Sequence, residues 1–393
     1  MARTDSKTRQ GPPIWLTQGF RPFFLAAAIW SVAALALWIG MLAKGSTLPS
    51  RFDPLSWHIH EMLFGFGMAA AAGFLLTAVP NWTKRLPVAG LPLAMLFGLW
   101  LLGRLACAIS DLMPAWLAVL LDLAFPLALI VVIAREIAAG KNWRNLPMTA
   151  PLMVLATANL MMHLEAVGVA VPAGFGWRLG LAAMTILMTI IGGRIIPSFT
   201  RNWLAKRGNE LPAQNPWITR SAMGVLHAGL LGWTFLPDSY FFGALLVAGG
   251  ALNLWRLASL RGLATFPEPL LFILHIGYAW VAAGAILLGL AVFDLVPLPA
   301  AIHALTAGAM GTMILAVMTR ASRAHSGEEL AADRMTIAIY LLVTFGAVFR
   351  VVAAFVTPGP SLLLYVSAGL WIAAFALFIL AYGPMLLFKK SSG

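Results

Sequence analysis

The chain alternates between long apolar stretches and short polar breaks. The stretches run over 20–42, 57–80, 87–108, 113–134, 148–170, 177–199, 217–236, 239–258, 269–293, 300–320, 335–356 and 362–385. Several reach the roughly 20 residues needed to cross a bilayer as a helix. The breaks carry Pro, Gly and charge, as in Gly45–Asp53, Arg135–Pro147 and Arg201–Pro216. This pattern predicts an all-α integral membrane protein of about twelve transmembrane helices. One transmembrane domain then covers residues 20–385, with polar tails at 1–19 and 386–393. No break is long enough to fold as a soluble domain. The first stretch is too long for a signal-peptide core, so it reads as a retained first helix.

Charge orients the bundle. Only 10% of residues are charged, against about a quarter in soluble domains, and the formal net charge is +12. Twelve spans put Arg3, Lys7, Arg9, Arg21, Lys84, Arg85, Arg135, Lys141, Arg144 and Arg201 on the side of the N-terminus. Lys206, Arg207, Arg220, Arg256, Arg261, Arg320, Arg323, Arg334, Lys389 and Lys390 join them, which makes 20 of the 26 basic residues. The other side has three, Lys44, Arg51 and Arg178. The positive-inside rule predicts that both termini are cytoplasmic. It also replaces nucleic acid as the explanation of the positive charge.

The remaining three basic residues, Arg104, Arg194 and Arg350, fall inside apolar stretches. A charge at that depth costs several kcal/mol unless paired or hydrated, so each is a candidate site residue. Snorkelling to the nearer interface is the plainer alternative. Six of the seven histidines also fall in or beside spans: His58, His60, His163, His227, His275 and His303. An interhelical hydrogen bond explains any one of them. Six in one bundle point to metal, because imidazole is the commonest metal ligand. His58, His60, His163 and His303 share the outer third of the membrane with Arg104 and Arg350. His58 and His60 stand two residues apart, so on a helix they point about 200° apart and serve different partners. His58 with Glu61, His303 with Thr306, and His275 with Tyr278 share helix faces, which predicts supporting hydrogen bonds.

Other signals add less. Spans two, six and ten end in similar polar exits, Val79-Pro-Asn-Trp-Thr-Lys84, Ile196-Pro-Ser-Phe-Thr-Arg201 and Val317-Met-Thr-Arg320, which hints at three quasi-repeats of four helices. The fifteen tryptophans suit interfacial belts. A single cysteine, Cys107, excludes an internal disulfide and a cysteine-based metal cluster.

Several motifs resemble the NnrS family. They are Gly19-Phe-Arg-Pro-Phe-Phe24, Trp57-His-Ile-His-Glu-Met-Leu-Phe-Gly-Phe66, Gly73-Phe-Leu-Leu-Thr-Ala-Val-Pro-Asn-Trp-Thr83 and Leu99-Trp-Leu-Leu-Gly-Arg104. Gly192-Gly-Arg-Ile-Ile-Pro-Ser-Phe-Thr200, Leu274-His-Ile-Gly-Tyr-Ala-Trp280 and His303-Ala-Leu-Thr-Ala-Gly-Ala-Met-Gly311 extend the resemblance over nearly the whole chain. It implies a bacterial inner-membrane protein with heme and copper that acts in the response to nitric oxide. The chain departs from the family pattern around His325, where Ala324 and Glu328 replace a Gly and an Arg. A more distant resemblance is to the catalytic subunit of heme-copper oxidases and nitric oxide reductases. That fold is three arcs of four helices, with heme ligands on the second and tenth. Here span ten has one histidine and span six has none.

The residues and the resemblance together favour a b-type heme held by His58 or His60 with His303, and propionates paired with Arg104 and Arg350. His163 and His275 are further metal ligands, and His227 is a secondary candidate. Nitric oxide is the expected ligand, and electrons would come from a quinol or a partner protein. Two other readings stay open: a transporter of copper, heme or a small anion, and a protective heme protein without turnover.

Overall fold

The computed structural model describes residues 11–211, 213–356 and 361–388. Arg3, Lys7, Arg9, Lys389 and Lys390, counted in the charge asymmetry, lie outside the described residues. Every regular element among the described residues is helical, and twelve long helices match the twelve apolar stretches. They are α1 (Phe20–Lys44), α2 (Pro54–Thr83), α3 (Leu91–Ala108), α4 (Ala115–Ala139), α5 (Thr149–Ala166) and α6 (Phe175–Ala205). α7 (Pro216–Phe235), α8 (Tyr240–Ala258), α9 (Pro269–Val292), α10 (Leu298–His325), α11 (Arg334–Val356) and α12 (Leu362–Phe388) follow. Ten are long and apolar enough to cross a membrane. The other two, α5 and α7, carry polar positions such as Asn159, His163, Arg220 and His227. The protein is an all-α, multi-pass membrane protein.

Local chemistry sets the helix ends. Asp53 caps α2, accepting from the backbone N–H groups of Leu55 and Ser56 at 3.0 and 3.1 Å, and Pro54 takes the first helical position. Gly45, at φ +64°, ends α1 in the left-handed conformation that glycine adopts without strain.

Packing follows an ordered scheme. α2, α6 and α10 touch one another at the centre, and they are the most buried of the ten apolar helices. The rest surround them, and the first helix, α1, packs on the last, α12. The central helices thus recur every fourth span. α2 and α10 share a further feature that α6 lacks. Each contains a seven-residue π-helical segment directly after a histidine: Glu61–Gly67 after His60, and Ala304–Met310 after His303. π-turns insert an extra residue and are concentrated at functional sites.

Trp116, Trp143, Trp217 and Trp255 are exposed at or near helix ends, and Trp57, Trp100, Trp233 and Trp371 are buried inside the bundle. Three indole N–H groups are bonded inside the bundle. Trp30 donates to Glu61 Oε2 at 2.7 Å, Trp100 to the Gly65 carbonyl at 3.0 Å, and Trp371 to Ser31 Oγ at 2.7 Å. Trp100 thereby satisfies a carbonyl within the π-turn of α2.

Candidate functional site

The N-terminal end of α2 separates two chemically different regions. Its two histidines face opposite sides, as their spacing requires. His58 lies against Trp38 of α1, with ring centroids 5.0 Å and planes 15° apart, and lines a cavity of about 300 Å³. His60 is fully buried and points toward α4 and α5.

The cavity is walled by α1, α2, α6, α10, α11 and α12. Its lining is mostly aliphatic, with Trp38, Trp177 and Trp371 on its sides and His58, His303, Thr306, Arg350 and Ser367 as its polar groups. His303 Nδ1 donates to the Pro299 carbonyl, one turn back, at 2.7 Å. That bond sets the tautomer and leaves Nε2 with a free lone pair. Among the described residues nothing bonds it. His58 Nδ1 is buried without a partner. Arg350 has no carboxylate partner among the described residues. Thr306 donates to the Ile302 carbonyl at 2.9 Å and Ser367 to the Gly346 carbonyl at 2.7 Å, so both hydroxyl protons are already committed.

The second region is a closed ion cluster between α2, α3, α4 and α5. Arg104 donates to Glu61 Oε2 at 2.7 Å, and its other terminal nitrogen pairs with Asp122 Oδ1. Asp122 Oδ2 takes His60 Nε2 at 3.1 Å and His163 Nε2 at 3.0 Å. His60 Nδ1 faces Glu61 Oε1 at 3.0 Å, and Asn159 Oδ1 lies 3.0 Å from His60 Nε2. Cys107, on the turn after Arg104, completes the group. Suitable ligand atoms of His60, Cys107, Asp122 and His163 all lie within 4.8 Å of one another. All members are buried, the most exposed at 4%. Two glycines make room for this. A Cβ on Gly103 would stand 2.7 Å from Asp122 Oδ1, and one on Gly65 would stand 2.5 Å from Trp30 Nε1 and 2.8 Å from Glu61 Oε2.

The expected residues therefore divide. His58, His303, Thr306 and Arg350 come together in the cavity. Arg104, placed by its depth beside Arg350, does not line the cavity, because the two carboxylates of the cluster hold it. Glu61 bonds His60 rather than His58. His275 and Tyr278 do not support each other: His275 Nε2 lies 3.0 Å from Thr200 Oγ1, while Tyr278 accepts from Arg256 at 2.9 Å and donates to Asn253 at 2.8 Å. His227 pairs with Thr189 at 2.7 Å. His275 and His227 lie outside both regions. His325 packs against the Phe20 ring. Arg194 is exposed on α6 and lies outside both regions.

Asp122, Cys107 and Asn159 were not expected. A signal for Asp122 existed. It is an acidic residue inside an apolar stretch, at the same depth as Arg104, and a buried arginine needs such a partner.

A family model for the NnrS protein matches residues 14–390. The chain belongs to the NnrS family. No curated protein matches it significantly. The match spans both regions, and NnrS membership fits a role in the response to nitric oxide.

Proposed function

We propose that the cavity holds a b-type heme, and that the chain uses it to bind nitric oxide in the bacterial inner membrane with both termini cytoplasmic. The observation that carries this reading is His303. Its Nδ1 is fixed to a backbone carbonyl, and its Nε2 is left unbonded beside a ligand-sized cavity, which is how metal-bound imidazoles are usually held. The donor set fits a heme. His58 offers a second imidazole with a bare nitrogen, Arg350 offers a guanidinium with no carboxylate partner among the described residues, and the remaining wall is mostly apolar. A heme iron supplies a binding position for nitric oxide and a route for electrons. The chain's residues would fix the imidazole, offset a propionate charge and exclude water.

Turnover at such a site would be reduction. Two nitric oxide molecules, two electrons and two protons give nitrous oxide and water. The electrons would come from a quinol or a partner protein. A copper ion, the other cofactor that the family resemblance implies, would find imidazole donors at His60 and His163. Arg350 also favours a second reading, passage of a small anion, since an unpaired cation in an apolar cavity would attract one.

The visible spectrum of the purified protein tests the proposal. A Soret band that is lost in His303→Ala supports it. Protein without such a band, in cells supplied with heme, would sink it. Nitric oxide consumption with a reductant then separates an enzyme from a binding protein. Reporter fusions at the C-terminus test the orientation.

A further inference from the structure

We infer that the closed cluster between α2, α3, α4 and α5 is a binding site for one divalent transition-metal ion, with His60, Cys107, Asp122 and His163 as its four ligands. This does not rest on the heme reading, because the cluster lies on the other face of α2 from the cavity.

Four observations carry it. The first is convergence: four ligand atoms from four different helices lie within 4.8 Å of one another. A modest contraction of that set encloses an ion at ordinary metal–ligand lengths. The second is donor chemistry. Two imidazoles, one thiol and one carboxylate form a mixed set of borderline and soft donors, which suits zinc or copper and not magnesium or calcium.

The third is the arrangement behind the ligands. Glu61 Oε1 holds the far nitrogen of His60 at 3.0 Å, the carboxylate–imidazole pairing that orients metal ligands. Arg104 holds Asp122 through Oδ1, which leaves Oδ2 directed at the two imidazoles. Trp30 and Arg104 both donate to Glu61 Oε2 at 2.7 Å, so the supporting carboxylate is itself fixed.

The fourth is charge. With Cys107 as thiolate, Glu61, Asp122 and Cys107 bring three negative charges and Arg104 one positive. A doubly charged cation then makes the buried group neutral with both imidazoles uncharged. Without the ion, neutrality needs a thiol at Cys107 and one extra proton on an imidazole. The ion therefore takes the place of two protons, and both states avoid a net charge in a low-dielectric interior. Four protein ligands leave no open position, so the ion is structural. It ties together the outer ends of four helices, including the turn of α2 that carries His58 into the cavity wall.

The full-length protein, purified in detergent without chelator, tests this by elemental analysis and X-ray absorption. We expect about one zinc or copper ion per chain with one sulfur neighbour at about 2.3 Å. A copper(II) ion will give an electron paramagnetic resonance signal and zinc will not, and either supports the site. Cobalt(II) loaded in place of the native ion should give an intense sulfur-to-metal charge-transfer band. Cys107→Ser should abolish that band and the sulfur neighbour. His163→Gln, a second variant that leaves the Arg104 ion pairs intact, should lower metal content at least tenfold. The inference is overturned if monodisperse wild-type protein takes up no zinc, copper or cobalt. It is also overturned if an ion binds with no sulfur neighbour and Cys107→Ser changes nothing. A missing Soret band with the metal present would count against the heme alone.

Discussion

The two faces of α2 use the same residue types to opposite effect. On one side His60, Glu61, Arg104, Asp122 and His163 satisfy one another inside a sealed space. On the other, His58, His303 and Arg350 stand around a cavity with ring nitrogens and a cation left over. A charge whose partners are supplied by the fold contributes to a rigid frame. A charge whose partner is missing asks for a ligand. The comparison shows why an arginine inside an apolar stretch identifies a site only once its neighbours are known: Arg104 is held by two carboxylates, and Arg350 lines a cavity.

The largest expected effect comes from breaking the sealed side. Asp122→Leu should destabilise the detergent-solubilised protein by about 3–5 kcal/mol, because it leaves buried Arg104 with Glu61 alone and takes the shared carboxylate from His60 and His163. Arg350→Leu should change stability by under about 1 kcal/mol, since no ion pair among the described residues is lost, yet it should weaken heme retention. Thermal unfolding of the two variants side by side decides this. Equal losses would remove the distinction between the two regions.

A smaller effect is expected at the glycines. Gly65→Ala and Gly103→Ala each push a methyl group into the ion cluster, at a cost of about 1–3 kcal/mol by overpacking. Gly369→Ala, where a Cβ meets nothing within 4 Å, is the matched control and should be neutral. Loss of the cluster's metal in the first two variants, without change in the cavity spectrum, would sharpen the separation of the two sites.

The smallest effect lies outside both regions, at Asp333 before α11. Partial burial would raise its carboxyl pKa, but the Thr336 backbone N–H and hydroxyl, both at 2.8 Å, and the Arg323 cation outweigh this. They hold it below the ordinary carboxylate value. Its folded pKa is thus lower than its unfolded one. The stabilisation is complete above the unfolded value and is lost as pH falls through the folded one. Asp333→Asn should remove that part of the acid sensitivity and leave the cavity and the ion cluster untouched, as read from melting temperatures across the acidic range.

The number and approximate position of the long helices were legible in the sequence, because bilayer crossing demands long apolar runs and ten of the twelve are apolar enough to cross. The stretch 362–385 became Leu362–Phe388, and 300–320 became Leu298–His325. The two-residue spacing of His58 and His60 was also enough to separate them, since helix geometry alone sets that angle. The π-turns at Glu61–Gly67 and Ala304–Met310 were not legible. Their residues are mostly apolar in every direction, so the pattern carries no period from which to read an extra residue per turn. Cys107 was set aside because one cysteine makes no cysteine cluster. That argument does not reach a mixed ligand set drawn from four helices.

What the sequence determined by itself is therefore the one-dimensional part: twelve long helices, their charge asymmetry, and which residue types stand where along each helix. Only the tertiary structure decided which of those residues meet. Glu61, Arg104, Asp122 and His163 lie on four helices and pair because those helices pack side by side, whereas Arg350 faces a cavity. Depth follows from distance along a helix, which the chain encodes locally. Partnership follows from helix rotation and neighbour choice, which depend on the packing of the whole bundle at once.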